Sequence, residues 1–298
     1  MLTLDVGCIE LEVELYGKIM IYDCFLYYDE DMLLDVRLHT LNDVVDRFVI
    51  VESTHTFTGK PRRLHFNINK FAEFKEKIIY VVYDESPFVK EGVVDAWRNE
   101  ASTRNAIMNG LSKADNDDLI IVSDVDEIPD PRAVLQLDKR HLCTTLHMNF
   151  YNYQFNLQVF NADGTPRIWS FPRATSFKNL QGFFGGKPED FRNVKKSLIK
   201  SNFIKWNLFK LRNKNMLSAG WHFSWIMRPE RISEKMSSIS HTEYDLPEFN
   251  NSEHIIDALN NGKDIWGRDR KMVKQDLNNA TFPVYLVNHR EKFREFIL

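Results

Sequence analysis

Two aspartates separated by one residue follow a short apolar run near the middle of the chain. The run covers residues 119–122, and the two acids are Asp124 and Asp126. In extended backbone, alternate side chains point to the same side, so both carboxylates can face one ligand. Carboxylate oxygens suit Mg²⁺ or Mn²⁺, which commonly keep positions for water and nucleotide phosphates. The spacing indicates a metal-diphosphate site, although the same acids could instead cap a helix that begins at Pro129.

Three classes of protein place an Asp-x-Asp pair after a strand. A phosphatase of the haloacid dehalogenase type needs a nucleophilic Asp on its first strand and usually has Thr or Val two places after the second Asp. Here the pair follows the fourth predicted strand and is trailed by Glu127 and Ile128. A Mg²⁺-dependent nucleotidyltransferase needs a glycine-rich phosphate loop near its first strand, and the sequence has none there. In the third class, nucleotide-sugar glycosyltransferases, the ion neutralises a departing diphosphate.

The elements that position this pair can be read from the alternation of apolar runs. Runs typical of strands cover 19–26, 47–52, 78–83 and 119–123, and helical spacing covers 32–41 and about 95–111. The order is β-α-β-β-α-β, which predicts an α/β fold with a doubly wound, mostly parallel sheet and helices on both faces. Ligands of such sheets bind at the carboxyl edge, where the polar loops of this sequence also fall.

Composition and charge narrow the possible functions. The 298 residues include 39 Lys and Arg against 42 Asp and Glu, a net charge of −3, so no bulk positive field attracts the chain to nucleic acid or to an anionic membrane, although a local basic patch is compatible with this charge. No run approaches the roughly 18 to 20 apolar residues that cross a bilayer. The three scattered cysteines, Cys8, Cys24 and Cys143, indicate neither a disulfide framework nor a zinc ribbon. The sequence therefore predicts a globular protein without a nucleic-acid partner or a membrane span.

The chain is predicted to consist of an extension and one long domain. Residues 1–17, whose role the sequence leaves unclear, carry four acids and no Lys or Arg, the reverse of a signal peptide, so a cytoplasmic protein is predicted. Residues 18–298 show no linker-like stretch and are predicted to form a single domain. Its nucleotide-binding half covers about 18–130 and its acceptor half about 131–298.

The second half is rich in aromatic side chains. Aromatic rings stack on the flat faces of sugars, yet they are also common core residues, so two interpretations stay open. A non-catalytic glycan-binding protein would need only such a surface and no metal or UDP. The basic segment 195–214 could contact an anionic substrate or simply form a solvated face.

Several motifs, matching in order from about residue 19 to residue 243, resemble glycosyltransferase family 17. The motifs are 22–28 (YDCFLYY), 33–38 (LLDVRL), 43–53 (DVVDRFVIVES), 57–61 (FTGKP), 123–129 (SDVDEIP) and 220–224 (GWHFS). The resemblance implies a GT-A type fold, a UDP-sugar donor, a divalent cation (Mn²⁺ or Mg²⁺) and inversion at the anomeric carbon. It also implies transfer of a sugar, GlcNAc from UDP-GlcNAc, to a glycan acceptor.

The resemblance assigns roles to the acidic pair. Asp126 is expected to bind the metal directly, and Asp124 to contact the ribose or a metal-bound water. His222 is a candidate for a further metal ligand, because a neutral imidazole beside two carboxylates completes a mixed nitrogen and oxygen set for Mn²⁺. The alternative for His222 is a buried core residue, in which case the third ligand would come from His241 or from the diphosphate and water alone.

Five further residues are candidates for binding the nucleotide. Glu52 and Ser53 end the second predicted strand where a nucleoside would lie, although ordinary turn chemistry explains them as well. Glu100 and Arg104 are four residues apart on a predicted helix, so they can pair and present Arg104 to uracil or diphosphate, or form a plain surface ion pair. Lys60 could balance phosphate charge or be a solvated loop lysine.

Inversion by a single displacement needs a carboxylate that takes the proton of the acceptor hydroxyl. Glu243 and Asp190 are the catalytic candidates for this general base. The sequence does not choose between them.

Overall fold

The computed structural model of the protein describes residues 18–241, 243 and 245–298. The predicted extension, 1–17, lies outside these residues, as does Cys8. The strands in this part of the chain are β1 Ile21–Leu26, β2 Arg47–Ser53, β3 Ile78–Tyr83, β4 Val89–Lys90, β5 Val93–Val94, β6 Leu119–Asp124, β7 Glu127–Pro129, β8 Cys143–Leu146, β9 Met148–Asn152, β10 Leu157–Asn161, β11 Ile168–Trp169, β12 Arg173–Ser176, β13 Asn213–Met216, β14 Gly220–Ser224 and β15 Arg270–Lys274.

Helices flank these strands, most of them short. The α-helices are α1 Asp31–Leu41, α2 Ala96–Asn105, α3 Ile107–Gly110, α4 Pro131–Val134, α5 Phe177–Gly182, α6 Pro188–Arg192, α7 Leu198–Ser201, α8 Phe203–Arg212, α9 Pro229–Met236, α10 Ser252–Asn260 and α11 Val284–Asn288. Two 3₁₀ segments, Ile68–Lys77 and Arg294–Phe296, complete the described elements, and the first is interrupted at Phe71.

The main sheet has seven strands in the order β13-β8-β12-β6-β1-β2-β3. When only the strands of this sheet are counted along the chain, their order in the sheet is 7-5-6-4-1-2-3. Among the described strands of this sheet, β12 is the one that runs antiparallel to both of its neighbours. Strand order reverses between β1 and β6, which is where ligands bind in doubly wound sheets. The predicted α/β fold, with a doubly wound and mostly parallel sheet, is confirmed.

The central strands are apolar on both faces because both faces are covered. Phe25, Ile50 and Ile121 pack on one side, against α1 and the second sheet described below. Val49 and Ile120 pack on the other side, against α3, α5, α6 and α8. Parallel strands buried in this way appear in the sequence as continuous apolar runs, which is why their positions could be predicted.

A second sheet lies beside the carboxyl ends of the main strands. Its order is β15-β10-β9-β14-β7, with β11 paired to β9. β7 follows β6 after only two residues, so the loop at 125–126 passes from one sheet into the other. The main sheet and the second sheet therefore meet at the predicted Asp-x-Asp pair.

The first half agrees closely with the sequence-based elements. The predicted helix over 95–111 is present in two pieces, α2 and α3, which meet at Ala106. The N–H of Ala106 lies 3.2 Å from the carbonyl oxygens of both Ser102 and Thr103, so the helix tightens there. Gly110 ends α3 against β2, where a Cβ atom would lie 2.4 Å from Val49 Cγ1. Across the described ranges, we find no helix long and apolar enough to span a bilayer.

Candidate active site

A cleft of about 400 Å³ opens at the carboxyl ends of the parallel strands, between the main and second sheets. The main sheet contributes Tyr28 after β1, Ser53 at the end of β2 and Asp124 at the end of β6. The second sheet contributes Phe150 from β9 and His222 from β14. The cleft thus occupies the edge of the sheet at which the sequence predicts a ligand.

A buried arginine, Arg37, donates hydrogen bonds to the backbone of the loop that carries the acidic pair. Arg37, on α1, is fully buried and forms an ion pair with Asp23 of β1 at 2.6 Å. Its Nη1 donates to the carbonyl oxygens of Asp124 and Glu127, both at 2.8 Å. Sequence reasoning missed this role, although a charged Asp23 inside an apolar strand and an arginine on an apolar helix face were signals for it.

Asp124 is neutralised by two arginines. Its Oδ1 accepts from Arg104 Nη2 at 2.9 Å, and its Oδ2 accepts from Arg192 Nη2 at 2.6 Å. Burial alone would raise the pKa of Asp124, but Arg192 and Arg104 outweigh it and hold the pKa well below its ordinary value. Both oxygens of Asp124 are therefore already engaged by cations.

Asp126 lies beside His222 instead. Asp126 Oδ1 is 3.6 Å from His222 Nε2. Burial disfavours the charged carboxylate, but His222 outweighs this effect and the pKa of Asp126 lies below its ordinary value. The Nδ1 atom of His222 is buried and has no hydrogen-bond partner among the residues that the structure describes. One ligand atom each from Asp126, Glu127 and His222 lie within 4.8 Å of one another, so the trio offers a mixed oxygen and nitrogen set.

Glu127 is a member of this cluster that sequence reasoning missed. Its Oε2 accepts from the backbone N–H of Asp124 at 2.8 Å, and its Oε1 accepts from Trp169 Nε1 and from Arg192. Burial raises the pKa of Glu127. Because these partners already occupy both oxygens, Glu127 mainly fixes the geometry of the loop.

Strand pairing brings His222 to the acidic loop. β14 pairs antiparallel with β7, and His222 lies opposite Glu127 in the register. Gly220 makes this approach possible, because a Cβ atom there would lie 2.2 Å from the carbonyl oxygen of Ile128. Its φ of +149° is also one that side-chain-bearing residues rarely adopt. The glycine is therefore a positioning feature of the site.

A helix cap is not the role of the acidic pair. The N-cap of α4 is Asp130, whose side chain accepts from the N–H of Arg132 at 2.8 Å. The helix begins at Pro131 and not at Pro129. Asp124 and Asp126 stay free of the helix start and contribute to the cleft.

Aromatic side chains form one wall of the cleft. Phe150 and Trp169 pack against His222 with ring centroids 4.6 and 4.4 Å away. Phe155 and Phe223, from the same part of the sequence, lie in the core instead. The aromatic segments therefore contribute both to the wall of the cleft and to the core, and stacking of the wall on a sugar stays a prediction.

The far end of the cleft is positively charged. Arg167, Arg268 and Arg270 line it, and Asp264 pairs with the last two at 2.8 and 3.1 Å. Burial and the neighbouring Arg268 lower the pKa of Arg270 to about 10. With three cations against one carboxylate, this end of the cleft favours an anionic group.

Comparison with known proteins gives the family. The model of glycosyltransferase family 17 matches residues 13–180 of the chain, more than half of its length. The chain belongs to glycosyltransferase family 17.

Curated relatives of this family 17 chain share one name. Beta-1,4-mannosyl-glycoprotein 4-beta-N-acetylglucosaminyltransferases of Rattus norvegicus and Homo sapiens are each 28% identical to it. The matches cover 88% of this chain, and 51% of the rat and 52% of the human protein. The chain thus spans about half the length of the curated relatives it matches.

Two solved structures resemble the family 17 chain distantly. Glucosyl-3-phosphoglycerate synthase from Mycobacterium tuberculosis, in complex with Mn²⁺, UDP-glucose and glycerol 3-phosphate, has a TM-score of 0.35 and 10% identity, covering 80% of this chain and 85% of that one. The inositol-1-phosphate CTP transferase from T. maritima has a TM-score of 0.36 and 11% identity, covering 76% and 98%. Both likenesses are too weak to assign a fold or a ligand.

Glu52 and Ser53, the two candidates for nucleotide binding at the end of β2, have different environments in this family 17 chain. Ser53 lines the cleft. Glu52 is fully buried, and its carboxylate accepts from Arg62 at 2.9 Å, from Tyr80 at 2.8 Å and from two backbone N–H groups. Glu52 therefore anchors the loop that follows β2, and it does not reach the cleft.

The other candidates for nucleotide binding also differ in whether they line the cleft. Glu100 and Arg104 both line the cleft, and they pair at 2.9 Å. Arg104 is almost completely buried and binds Glu189 as well as Asp124, so it is not part of a surface ion pair. Lys60 is exposed and lies outside the described lining of the cleft.

Neither candidate for the general base lines the described cleft. Glu243 is half exposed and pairs with His241 at 2.7 Å, while Asp190 lies partly buried on α6. Glu30, which sequence reasoning missed, does line it. Glu30 Oε2 accepts from the N–H of Tyr28 at 2.9 Å, and its Oε1 lies 3.8 Å from Lys235 Nζ.

Proposed function

We propose that the chain transfers a sugar, GlcNAc from UDP-GlcNAc, to a glycan acceptor with inversion and with Mn²⁺ or Mg²⁺ bound. The observation that carries the proposal is the Asp126–His222 pair at the edge of the sheet where strand order reverses. Family membership and the names of the relatives support the reaction class and the transferred sugar, GlcNAc.

The residues present fit a divalent cation. Asp126 offers an oxygen and His222 a nitrogen, both with limited exposure to water. Neither Asp126 oxygen is held by an arginine in the described contacts, in contrast to Asp124. Asp126 and His222 would hold the ion, which when bound supplies positive charge that stabilises the diphosphate leaving group.

Asp124 then has a different task from Asp126. Arg104 and Arg192 fix its carboxylate at the end of β6, and both lie at the cleft. A carboxylate fixed in this way can accept a hydrogen bond from a ribose hydroxyl. The two arginines also place positive charge beside the phosphates.

Glu30 is the proposed general base. Asp29, Glu100 and Asp124 also line the cleft, but each is tied to an arginine. Glu30 Oε1 has no neighbour nearer than Lys235 Nζ at 3.8 Å in the described ion pairs, and burial raises the pKa of Glu30. In a single displacement, the acceptor oxygen bonds to the anomeric carbon, the bond to the UDP oxygen breaks, and the acceptor proton moves to Glu30.

The test is a donor screen with the purified chain. UDP release from a panel of UDP-sugars is measured with Mn²⁺, with Mg²⁺ and after chelation with EDTA, with and without mannose-containing glycans as acceptors. We expect turnover with UDP-GlcNAc that EDTA removes and added Mn²⁺ restores. Unchanged turnover after thorough chelation would overturn the metal assignment.

A non-catalytic glycan-binding protein is the second candidate, and the aromatic wall formed by Phe150 and Trp169 favours it. Calorimetric titration with UDP in the presence of Mn²⁺ separates the two functions. A glycosyltransferase binds UDP, whereas a glycan-binding protein binds glycans and shows no heat with UDP.

A further inference from the structure

The segment 198–217 exposes an unusual amount of apolar surface. Six of its large apolar side chains are exposed, four of them by at least 77%: Leu198, Phe203, Ile204, Leu208, Leu211 and Leu217. Exposed apolar side chains that form one patch mark a site of interaction with a protein or a membrane. We refer to residues 198–217 as the apolar-basic surface.

The geometry of α8 gathers these side chains on its outer face. Ile204, Leu208 and Leu211 follow the i, i+4, i+7 spacing of one helix face. Trp206 and Phe209 point the other way, stack on each other with centroids 5.5 Å apart, and join the core under the main sheet. The helix is thus fixed to the protein by one face and presents an apolar stripe on the opposite face.

Cations flank this stripe. Residues 195–214 contain seven Lys or Arg and no Asp or Glu, in a chain whose net charge is −3. In α8, Lys205 and Arg212 lie seven residues apart along one side of the stripe, and Lys210 lies on the other. All three are exposed, and none of them takes part in an ion pair among the described contacts, although Arg212 Nη2 donates to the carbonyl oxygen of Arg140 at 2.9 Å.

We propose that the apolar-basic surface docks the protein on an anionic lipid bilayer. An apolar helix face bordered by Lys and Arg is the pattern of helices that lie in the membrane interface, with apolar side chains among the acyl chains and cations at the headgroups. Anionic headgroups attract such basic segments over about a Debye length. The proposal does not depend on the proposed function, because it needs neither donor nor metal.

Charge argues against the other occupants. A second copy of the chain would bring the five cations of its own residues 198–217 against the first five, so self-association through this surface is repelled. A nucleic acid would use the cations but leave the apolar stripe in water. An anionic bilayer satisfies both the charge and the apolar area.

The surface lies beside the candidate active site. Lys196 lines the cleft, and Leu198 begins the apolar-basic surface two residues later. Arg192, which binds Asp124, ends the helix α6 just before it. A bilayer bound here would therefore lie near one edge of the cleft.

Vesicle co-sedimentation of the full chain tests the proposal. The probes are vesicles of phosphatidylcholine alone and of phosphatidylcholine with about one third phosphatidylglycerol, with no nucleotide or metal present. We expect at least about tenfold stronger binding to the anionic vesicles, weakened by added salt. No binding to anionic vesicles at low salt, or equal binding to both kinds of vesicle, overturns the proposal.

Variants of the surface assign the binding to α8. I204S combined with L211S is expected to reduce binding at least about tenfold, since both side chains are exposed and their loss leaves the core intact. L135S, which removes another side chain that is 71% exposed, is the matched control and should bind like the wild type. Circular dichroism of each variant verifies folding.

Charge reversal completes the test. K205E combined with R212E should abolish the preference for phosphatidylglycerol. Wild-type binding by the apolar or the charge-reversed variant would contradict the proposal. A concentration-dependent dimer that I204S with L211S dissociates, without vesicle binding by the wild type, would assign the surface to a second copy instead.

Discussion

The imidazole of His222 directs Nε2 to Asp126 Oδ1 across 3.6 Å, while its Nδ1 is buried without a hydrogen-bond partner in the described part of the chain. A buried histidine kept for structure normally has both ring nitrogens satisfied, because a buried polar atom without a partner is costly. The pair also lies in a cleft and not in the core. The relationship favours His222 as a ligand over the core alternative.

His222→Ala separates the two roles. If His222 holds the ion, its loss should weaken Mn²⁺ affinity, measured in the presence of UDP, by at least about tenfold. Truncation of the side chain alone should cost only about 1 to 3 kcal/mol in the free energy of unfolding. His254→Ala is the control, because it removes an imidazole outside the cleft, which is partly buried on α10 with Nε2 2.6 Å from the Ile265 oxygen. Unchanged Mn²⁺ affinity with a lower urea midpoint would make His222 a core residue.

Asp126→Asn should abolish Mn²⁺-dependent UDP binding and leave the fold intact. The asparagine keeps the shape of the side chain but removes the anionic oxygens that a hard cation requires. We expect the free energy of unfolding to change by no more than about 1 kcal/mol in urea, because the side chain lies at the cleft and not in the apolar core. Asp117→Asn, an exposed acid just before β6 that pairs with Lys139, is the matched control and should bind UDP normally. Metal-dependent UDP binding by Asp126→Asn would refute its role as a ligand.

Arg37→Met should destabilise the protein strongly. The substitution leaves Asp23 as an unpaired, fully buried carboxylate, which costs about 3 to 5 kcal/mol in other proteins. It also removes the donors that hold the carbonyl groups around the acidic loop. Arg132→Met, which breaks an ion pair between Asp130 and an arginine whose side chain is 68% exposed, should cost less than about 1 kcal/mol. Urea unfolding measures the free energy of unfolding of both variants. Equal losses in the two would contradict the proposed structural role of Arg37.

The main elements of the first half were predictable because local sequence determines them. Three of the four predicted strands differ from the structure by at most one residue, and the first strand begins two residues later, at Ile21. Buried parallel strands need unbroken apolar runs, and turns need polar residues, so the boundaries are visible in the sequence. The second sheet was not predicted, because its strands are short and pair over long separations, as β7 does with β14.

The same distinction applies to the site. Asp124 and Asp126 stand out locally because they follow a strand. Arg192 and Glu127 acquire their roles only when α6 packs beside β6, a contact between residues 65 apart that no local pattern encodes. The predicted contacts of Ser53, Glu100 and Arg104 with a nucleotide, and the single-domain organisation of 18–298, stay predictions.

Gly220→Ala should impair both folding and metal binding. The added Cβ would lie 2.2 Å from the carbonyl oxygen of Ile128, which is backbone and cannot move aside as a flexible side chain can. We expect a loss of more than about 2 kcal/mol in the free energy of unfolding, together with weaker Mn²⁺ binding as His222 shifts from Asp126. Gly182→Ala is the control, since a Cβ there meets nothing within 4 Å and the residue ends a helix. An unaltered melting temperature in Gly220→Ala would contradict the close approach of the strands β7 and β14.

Glu30→Gln tests the proposed general base. The amide oxygen can still accept from the N–H of Tyr28 and keep the loop in place, but the side chain can no longer take a proton. We expect kcat to fall about 10²- to 10⁴-fold, with the affinity for UDP and Mn²⁺ unchanged. A fall in kcat of this size without a change in binding distinguishes a base from a structural residue.

Glu243→Gln and Asp190→Asn test the sequence-based candidates in the same assay, and both should retain turnover because neither lines the described cleft. Full activity in Glu30→Gln, with loss of activity in Glu243→Gln, would identify Glu243 as the general base instead.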